Sequence, residues 1–269
     1  MISLHPCPDL SSIQDLKAEY LSSLVGPMDG MWDAGFTDPA PHSEIRVEGA
    51  LAGYYAATDE GTLLQLHVTP AFEKHRRSLL DHVIAQGTIT EAVVSTIDPP
   101  HLSCCLDRQK SVTVHTYLYE IDAEVPPTHA EEDGLTFRLL KPEELERTIS
   151  LQQTCLGGED DLSDWLRGYS ANLIKRQELF VLSRDDDWIA VGECRRSDSQ
   201  AGVADLGVMV NPDHRSNGWA TYILTRLRAD SKANGERSIC STEVENVAAQ
   251  KAIGRAGFVS RHRILNVTF

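Results

Sequence analysis

The chain has 269 residues, with 40 Asp and Glu against 25 Lys and Arg, a formal net charge of −15. Hydrophobic residues make up 41% and charged residues 24%, a balance that suits a soluble globular protein of about two domains. No apolar run nears the roughly 20 residues of a membrane-spanning helix, and a nucleic-acid binder needs a basic surface, so both partner classes are excluded. The acidity is uneven: residues 1–134 carry 7 Lys and Arg against 21 Asp and Glu, whereas residues 135–269 are nearly balanced. Such an excess serves solubility, and an acidic surface can also draw a cationic substrate. The six cysteines, Cys7, Cys104, Cys105, Cys155, Cys194 and Cys240, include no Cys-x-x-Cys, and the ten histidines include no His-x-x-x-His. This argues against a disulfide framework and a zinc site and fits a reducing cytoplasm; no metal is expected. Met1 to Pro6 has no basic segment leading an apolar one, so no secretory leader is expected there.

In chain order, Asp15 to Val25 reads as a helix with Leu16, Tyr20, Leu21 and Leu24 on its apolar side. Gly26 to Pro41 is rich in Gly, Pro and Asp and reads as a loop, though Met28, Met31, Trp32 and Phe36 should pack part of it down. Ile45–Ala50 and Leu51–Ala56 form a strand pair, and Thr62–Val68 is a further strand closed by Thr69-Pro70. Glu73 to Ala85 is helical, Ala92–Thr96 a strand, and His115–Ile121 the last strand of a first domain, residues 1–121. Residues 122–134, Asp-Ala-Glu-Val-Pro-Pro-Thr-His-Ala-Glu-Glu-Asp-Gly, have the composition of a linker.

The second domain, residues 135–269, opens with a strand at Leu135–Leu140 and a helix started by Pro142. Leu162 to Arg176 is helical, with Trp165, Leu166, Tyr169, Leu173 and Ile174 pointing one way. Leu179–Ser183 and Ile189–Cys194 make a hairpin around Arg184-Asp185-Asp186-Asp187-Trp188. Ala204 to Val210 alternates as a strand and is broken at Asn211-Pro212-Asp213, after which Ile223, Leu224, Leu227 and Ala233 recur at helical spacing. Ser238–Val244 is the next strand, Asn246 can cap a following helix and Gly257 end it, and Phe258 to Phe269 supplies a closing strand or pair.

Between strand and helix lies Arg215-Ser216-Asn217-Gly218-Trp219-Ala220-Thr221, an Arg-x-x-Gly-x-Ala loop. A helix start leaves backbone N–H groups unpaired and carries positive partial charge, so it suits an anion. Gly218 allows close backbone approach and Arg215 can add charge-assisted hydrogen bonds. The spacing differs from a Walker loop and from the dinucleotide Gly-x-Gly-x-x-Gly. With Val210 and Pro212 before it and Asn246-x-x-Ala249, a helix and Gly257-Phe258 after it, the stretch resembles the pyrophosphate loop of the GCN5-related N-acetyltransferase (GNAT) family. The order repeats 142 residues earlier, where Val68-Thr69-Pro70 precedes Glu73 to Ala85. There Glu73 stands for Arg215, Arg76 for Gly218 and Ser78 for Ala220. The first half thus resembles a degenerate, non-catalytic copy, and the implied fold class is α/β (α+β). It comprises two tandem GNAT-like domains, each a mixed, mostly antiparallel sheet flanked by helices, with a splayed parallel strand pair.

The resemblance implies acetyl-CoA as co-substrate, threaded between strands 204–210 and 238–244. Met209 and Val210 would offer backbone groups to its acetyl and pantetheine portion, and Arg215, Ser216, Asn217, Gly218, Trp219, Ala220 and Thr221 would hold its pyrophosphate. Asn246 would touch the pantetheine arm or simply cap its helix. The acceptor is expected to be a primary amine of a small molecule or peptide. A lysine-like amine of pKa ~10.4 is mostly protonated at pH 7, so a carboxylate must take its proton. Glu193 and Asp205 are the candidates, with Glu193 ranked first because it follows Gly192 on a mostly apolar strand. Many members place a thiolate-protonating tyrosine seven residues after the Asn, and this chain has Ile253 there. Ile253 keeps open a non-catalytic acyl-CoA-binding or regulatory module; another nucleophile or a longer acyl chain are further alternatives.

Overall fold

Period-two alternation builds the strands and Gly or Pro stops them, in a computed structural model that describes residues 1–126, 134–157 and 163–269. The chain divides into two units, residues 1–118 with 261–269, and residues 119–260. Elements in the first are β1 (Ile2–Pro6), α1 (Gln14–Ser23), α2 (Gly30–Trp32), β2 (His42–Val47), β3 (Ala50–Ala57), β4 (Thr62–Val68), α3 (Arg76–Ile84), β5 (Glu91–Ser95), α4 (Pro99–Leu106) and most of β6 (Ser111–Ile121). The second has β7 (Leu135–Leu139), α5 (Leu145–Leu156), α6 (Ser163–Arg176), β8 (Leu179–Arg184), β9 (Asp187–Arg196), β10 (Val203–Val210), α7 (Trp219–Ala233), β11 (Arg237–Glu243) and α8 (Val247–Arg255), and β12 (Phe258–Thr268) begins in the second unit and runs mostly in the first.

In the first unit the strand order is β1-β2-β3-β4-β5-β12. The pairs are antiparallel except β4–β5, which is parallel with Thr62 beside Glu91 and Leu63 beside Ala92. Its core gathers Ile45, Leu63, Leu66, Leu79, Leu80 and Val267, with a second cluster around Ile13, Tyr20, Tyr54 and Ile264. Residues 261–269, read from the sequence as part of the second domain, therefore supply a strand of the first unit, with Leu265 beside Val94. The stretch 26–41 is not simply a loop. Asp29 accepts a hydrogen bond from the Trp32 N–H and starts a short helix, and Asp33–Thr37 continue it as a π-turn. Met28 is buried there and Trp32 stacks on Phe36. β1 and α4 were not read from the sequence.

In the second unit the order is β7-β8-β9-β10-β11. β7, β8, β9 and β10 pair antiparallel, and β10–β11 is parallel, with Val203, Ala204 and Asp205 beside Arg237, Ser238 and Ile239. Leu140, Leu151, Leu173, Leu179, Val181 and Val191 pack on one face. On α7, Ile223, Leu224 and Leu227 are buried, and Gly192 lets Ile223 and Leu227 press against β9, because a Cβ there would collide with the Ile223 methyl. Trp165, grouped with the apolar face of its helix, is instead 48% exposed. Part of the expected linker is fixed: Asp122 and Ala123 N–H groups donate to the Gly257 carbonyl, and Arg228 donates to the Ala123 and Val125 carbonyls. Residues 127–133 of that linker, and Leu162 of the expected helix, lie outside the described residues. Among the described residues no helix is long and apolar enough to cross a membrane.

Candidate functional site

β10 and β11 run in register only at their starts, so beyond Asp205 their ends are free to part. A cleft of about 870 Å³ follows, lined by Leu206 to Val210 on one side and Ser241 and Thr242 on the other. It reaches the loop after β10, where Arg215, Ser216, Gly218, Trp219, Ala220 and Thr221 all line it. Two left-handed residues shape this loop, Ser216 at φ 66° and Gly218 at φ 82°. Gly218 is the N-cap of α7 and, having no side chain, supplies no side-chain cap to a first turn whose N–H groups point away from the helix. That is an anion-binding geometry, reinforced by the helix dipole. Across the cleft, α8 contributes Lys251 and Arg255, one turn apart on the same face.

The side chains of the loop hold it in shape. Arg215 turns back, donating from Nε to the Val210 carbonyl at 3.3 Å and from Nη2 to the Cys155 carbonyl at 3.1 Å. The Cys155 thiol donates to the same Val210 oxygen at 3.3 Å. Asn217 does not line the cleft among the described residues; its amide donates to the His214 and Arg215 carbonyls. Thr221 Oγ1 donates to the Ala252 carbonyl and ties α7 to α8. Asn246 lines the cleft and also caps α8, accepting from the Ala249 N–H at 3.1 Å.

The two candidate acids occupy different settings, and strand register explains both. Antiparallel pairing of β9 with β10 sets Glu193 opposite Gly207 and Arg195 opposite Asp205. The Glu193 carboxyl group lies over Gly207, where a Cβ would collide with it, and Glu193 lines the cleft. Asp205 is buried, is not among the lining residues, and lies 2.6 Å from the Arg195 guanidinium. Tyr169 on α6 donates its hydroxyl hydrogen to Glu193 Oε2 at 2.8 Å and accepts from Arg195 Nη1 at 3.0 Å. Burial, then the Glu193 charge, pushes the Tyr169 phenol far above its ordinary value, so the hydroxyl stays neutral. Ile253, at 5% exposure, faces the cleft as an apolar wall.

Gly207, Tyr169, Arg195, Cys155, Lys251 and Arg255 were missed from sequence. The i,i+2 pair Glu193–Arg195 was visible as one strand face; the register joining it to Gly207 and Asp205 was not. Among the described residues no cluster of three His, Cys, Asp or Glu is placed to hold a metal ion.

Two family models match the chain, an acetyltransferase (GNAT) domain over residues 9–122 and the acetyltransferase (GNAT) family over residues 145–258. A GNAT-family acetyltransferase from Colwellia psychrerythraea is 33% identical, covers 99% of both chains and has a TM-score of 0.90. The chain belongs to the GNAT family. Its tandem GNAT fold is shared with a tandem GNAT protein from the clavulanic acid biosynthesis pathway (TM-score 0.68, 14% identity, covering 100% of this chain and 98% of that one). A GCN5-related N-acetyltransferase from Sphaerobacter thermophilus has a TM-score of 0.64 at 14% identity, covering 98% and 94%. At those identities the likeness concerns the GNAT fold alone. Comparison with curated proteins gave no match.

Proposed function

We propose that the second unit is an acetyl-CoA-dependent N-acetyltransferase acting on a primary amine of a small molecule or peptide by direct attack on the thioester. The first unit is proposed as a non-catalytic copy. The observation that carries this reading is the continuity of the cleft from the uncapped start of α7, along β10, to the Glu193 carboxylate. The residues present fit a phosphorylated, elongated coenzyme: the start of α7 at one end, Lys251 and Arg255 across the cleft, and strand backbone along the middle. When bound, the coenzyme supplies an acyl group activated as a thioester. Backbone N–H groups from Ser216 to Thr221 would hold its pyrophosphate, and Asn246 and the end of β10 its pantetheine arm.

Glu193 acts as the proton acceptor in this reading. Its carboxylate stands at the cleft wall on Gly207, where an incoming ammonium group gives up a proton to become a nucleophile. Asp205, locked to Arg195, holds the geometry behind it. The leaving thiolate, of ordinary pKa ~8.5, is tolerable without a dedicated acid, which Ile253 does not provide.

Ile253 also supports a second reading, an acyl-CoA-binding module without turnover. Calorimetric titration with acetyl-CoA, with and without a mixed amine pool, followed by free-thiol measurement, separates the two. One coenzyme per chain with amine-dependent thiol release is expected. Binding without release favours the module, and absence of binding removes the site assignment.

A further inference from the structure

We infer that Tyr169 is a positioning residue for Glu193, fixing its carboxylate over β10 and setting its proton affinity, with Arg195 and Asp205 holding the tyrosine hydroxyl in turn. The inference rests on the reading of Glu193 as proton acceptor and adds the device that prepares it.

The direction of the hydrogen bonds follows from counting hydrogens. A phenol has one donor, and a guanidinium only donates. Arg195 Nη1, 3.0 Å from the Tyr169 oxygen, must therefore give its hydrogen, which leaves the phenol hydrogen to point at Glu193 Oε2, 2.8 Å away. The chain Arg195 to Tyr169 to Glu193 can run only one way. A donor that itself accepts from a cation is polarised, which strengthens its bond to the carboxylate. Arg195 Nη2 is bonded to Asp205 Oδ2 at 2.6 Å, so the guanidinium is anchored at both ends of its fork.

Geometry holds the tyrosine ring as well. Trp165, one turn earlier on α6, stacks on Tyr169 with ring centres 4.9 Å apart and planes 10° from parallel. Gly207 completes the arrangement, because its missing Cβ is the space in which the Glu193 carboxyl group rests. Three elements, α6, β9 and β10, thus converge on a single carboxylate. Burial and the Glu193 charge keep the phenol un-ionised, so it remains a donor across the working pH range. For a general base, placement comes before basicity. A hydrogen bond donated to the charged form also lowers proton affinity, so losing it should raise the pH at which Glu193 titrates.

The test does not need the acceptor. Protein labelled with ¹³C at the glutamate carboxyl carbon is titrated by NMR, and the Glu193 resonance is identified by its loss in Glu193→Gln. Tyr169→Phe keeps the ring and the stack while removing the donor; the Glu193 midpoint is expected to rise by about half a unit or more, with coenzyme affinity unchanged. Trp165→Ala, which frees the ring but keeps the hydroxyl, should move the midpoint the same way by less. An unmoved midpoint in Tyr169→Phe overturns the assignment. Thiol release from acetyl-CoA is measured in parallel with spermidine, tyramine and a lysine-containing peptide as acceptors. Full turnover by Glu193→Gln would overturn the base reading, a failure distinct from an unmoved NMR midpoint.

Discussion

The same strand–loop–helix frame occurs in both units, and the residues at matching places are nearly opposite in character. Counted back 142 residues, Gly218 becomes Arg76, Arg215 becomes Glu73 and Gly207 becomes Gln65. Gly207 faces Glu193 across its strand pair, whereas Gln65 faces Ala56. Gln65 is buried and accepts from the Tyr54 hydroxyl at 2.6 Å. Arg76 is buried too; its guanidinium donates to the Leu66 and Val68 carbonyls, on the strand that matches β10, and pairs with Glu73 at 2.8 Å. One unit has a glycine at its helix start and another beneath a carboxylate, and both line a cleft. The other fills the places of both glycines with buried side chains, Gln65 and Arg76, and has Ala56 where Glu193 would stand. Where the second unit has two glycines lining a cleft, the first has two long polar side chains, both buried.

The sharpest way to break this contrast is to give the second unit what the first one has. Gly218→Asp or Gly218→Glu puts a charge and a strained left-handed side chain on the proposed phosphate site. Coenzyme affinity measured by calorimetry should fall at least about a hundredfold, with the circular dichroism spectrum retained. Next comes Glu193→Gln: turnover should drop by about 10²–10⁴ while the coenzyme dissociation constant stays put, since the proposed phosphate site lies in the loop at the start of α7 and Glu193 on β9.

Acid separates the units in a third way. His101 is buried, and burial lowers its pKa to about 4, with Asp98 opposing the shift; His42 and His67 are also lowered, again chiefly by burial. An unfolded histidine takes up a proton near pH 6.5, so between about 6.5 and 4 the unfolded chain binds more protons than the folded one. Stability in the first unit is therefore full above about 6.5 and falls as pH drops toward 4, by on the order of 3 kcal/mol for His101 alone. Hydrogen exchange at pH 5 should open β4 and α4 before β9 and β10. The smallest effect is expected at Arg76: Arg76→Ala should leave coenzyme affinity and the one-to-one stoichiometry unchanged. Two coenzymes bound per chain would end the contrast.

Much of this was legible because periodicity and loop chemistry are local. Val210, Pro212, Arg215 and Gly218 announce a strand, a break and an uncapped helix from adjacent residues alone. Glu193 could be picked out as an acid on an apolar strand. Its separation from Asp205 could not, because that depends on the register of two strands, and one residue of slip exchanges every facing pair. Tyr169 read as helix packing, which its half-buried ring also is; only the fold brings its hydroxyl to Glu193. The short helical turns after Met28 were hidden because Gly, Pro and Asp signal a loop and a helix start alike.

One strand bears on how the protein is made. β5 finds its antiparallel partner in β12, and Ser95 donates to the Arg263 carbonyl across 168 positions of chain. At roughly 5–20 residues per second, a ribosome needs on the order of ten to thirty seconds to make the intervening chain. During that time the nascent first unit has an unfinished sheet edge, the feature by which strands pair with the wrong chain. Tandem GNAT folds invite the picture of two beads folding one after the other. Here the bead begun first must wait for chain made after nearly all of the second.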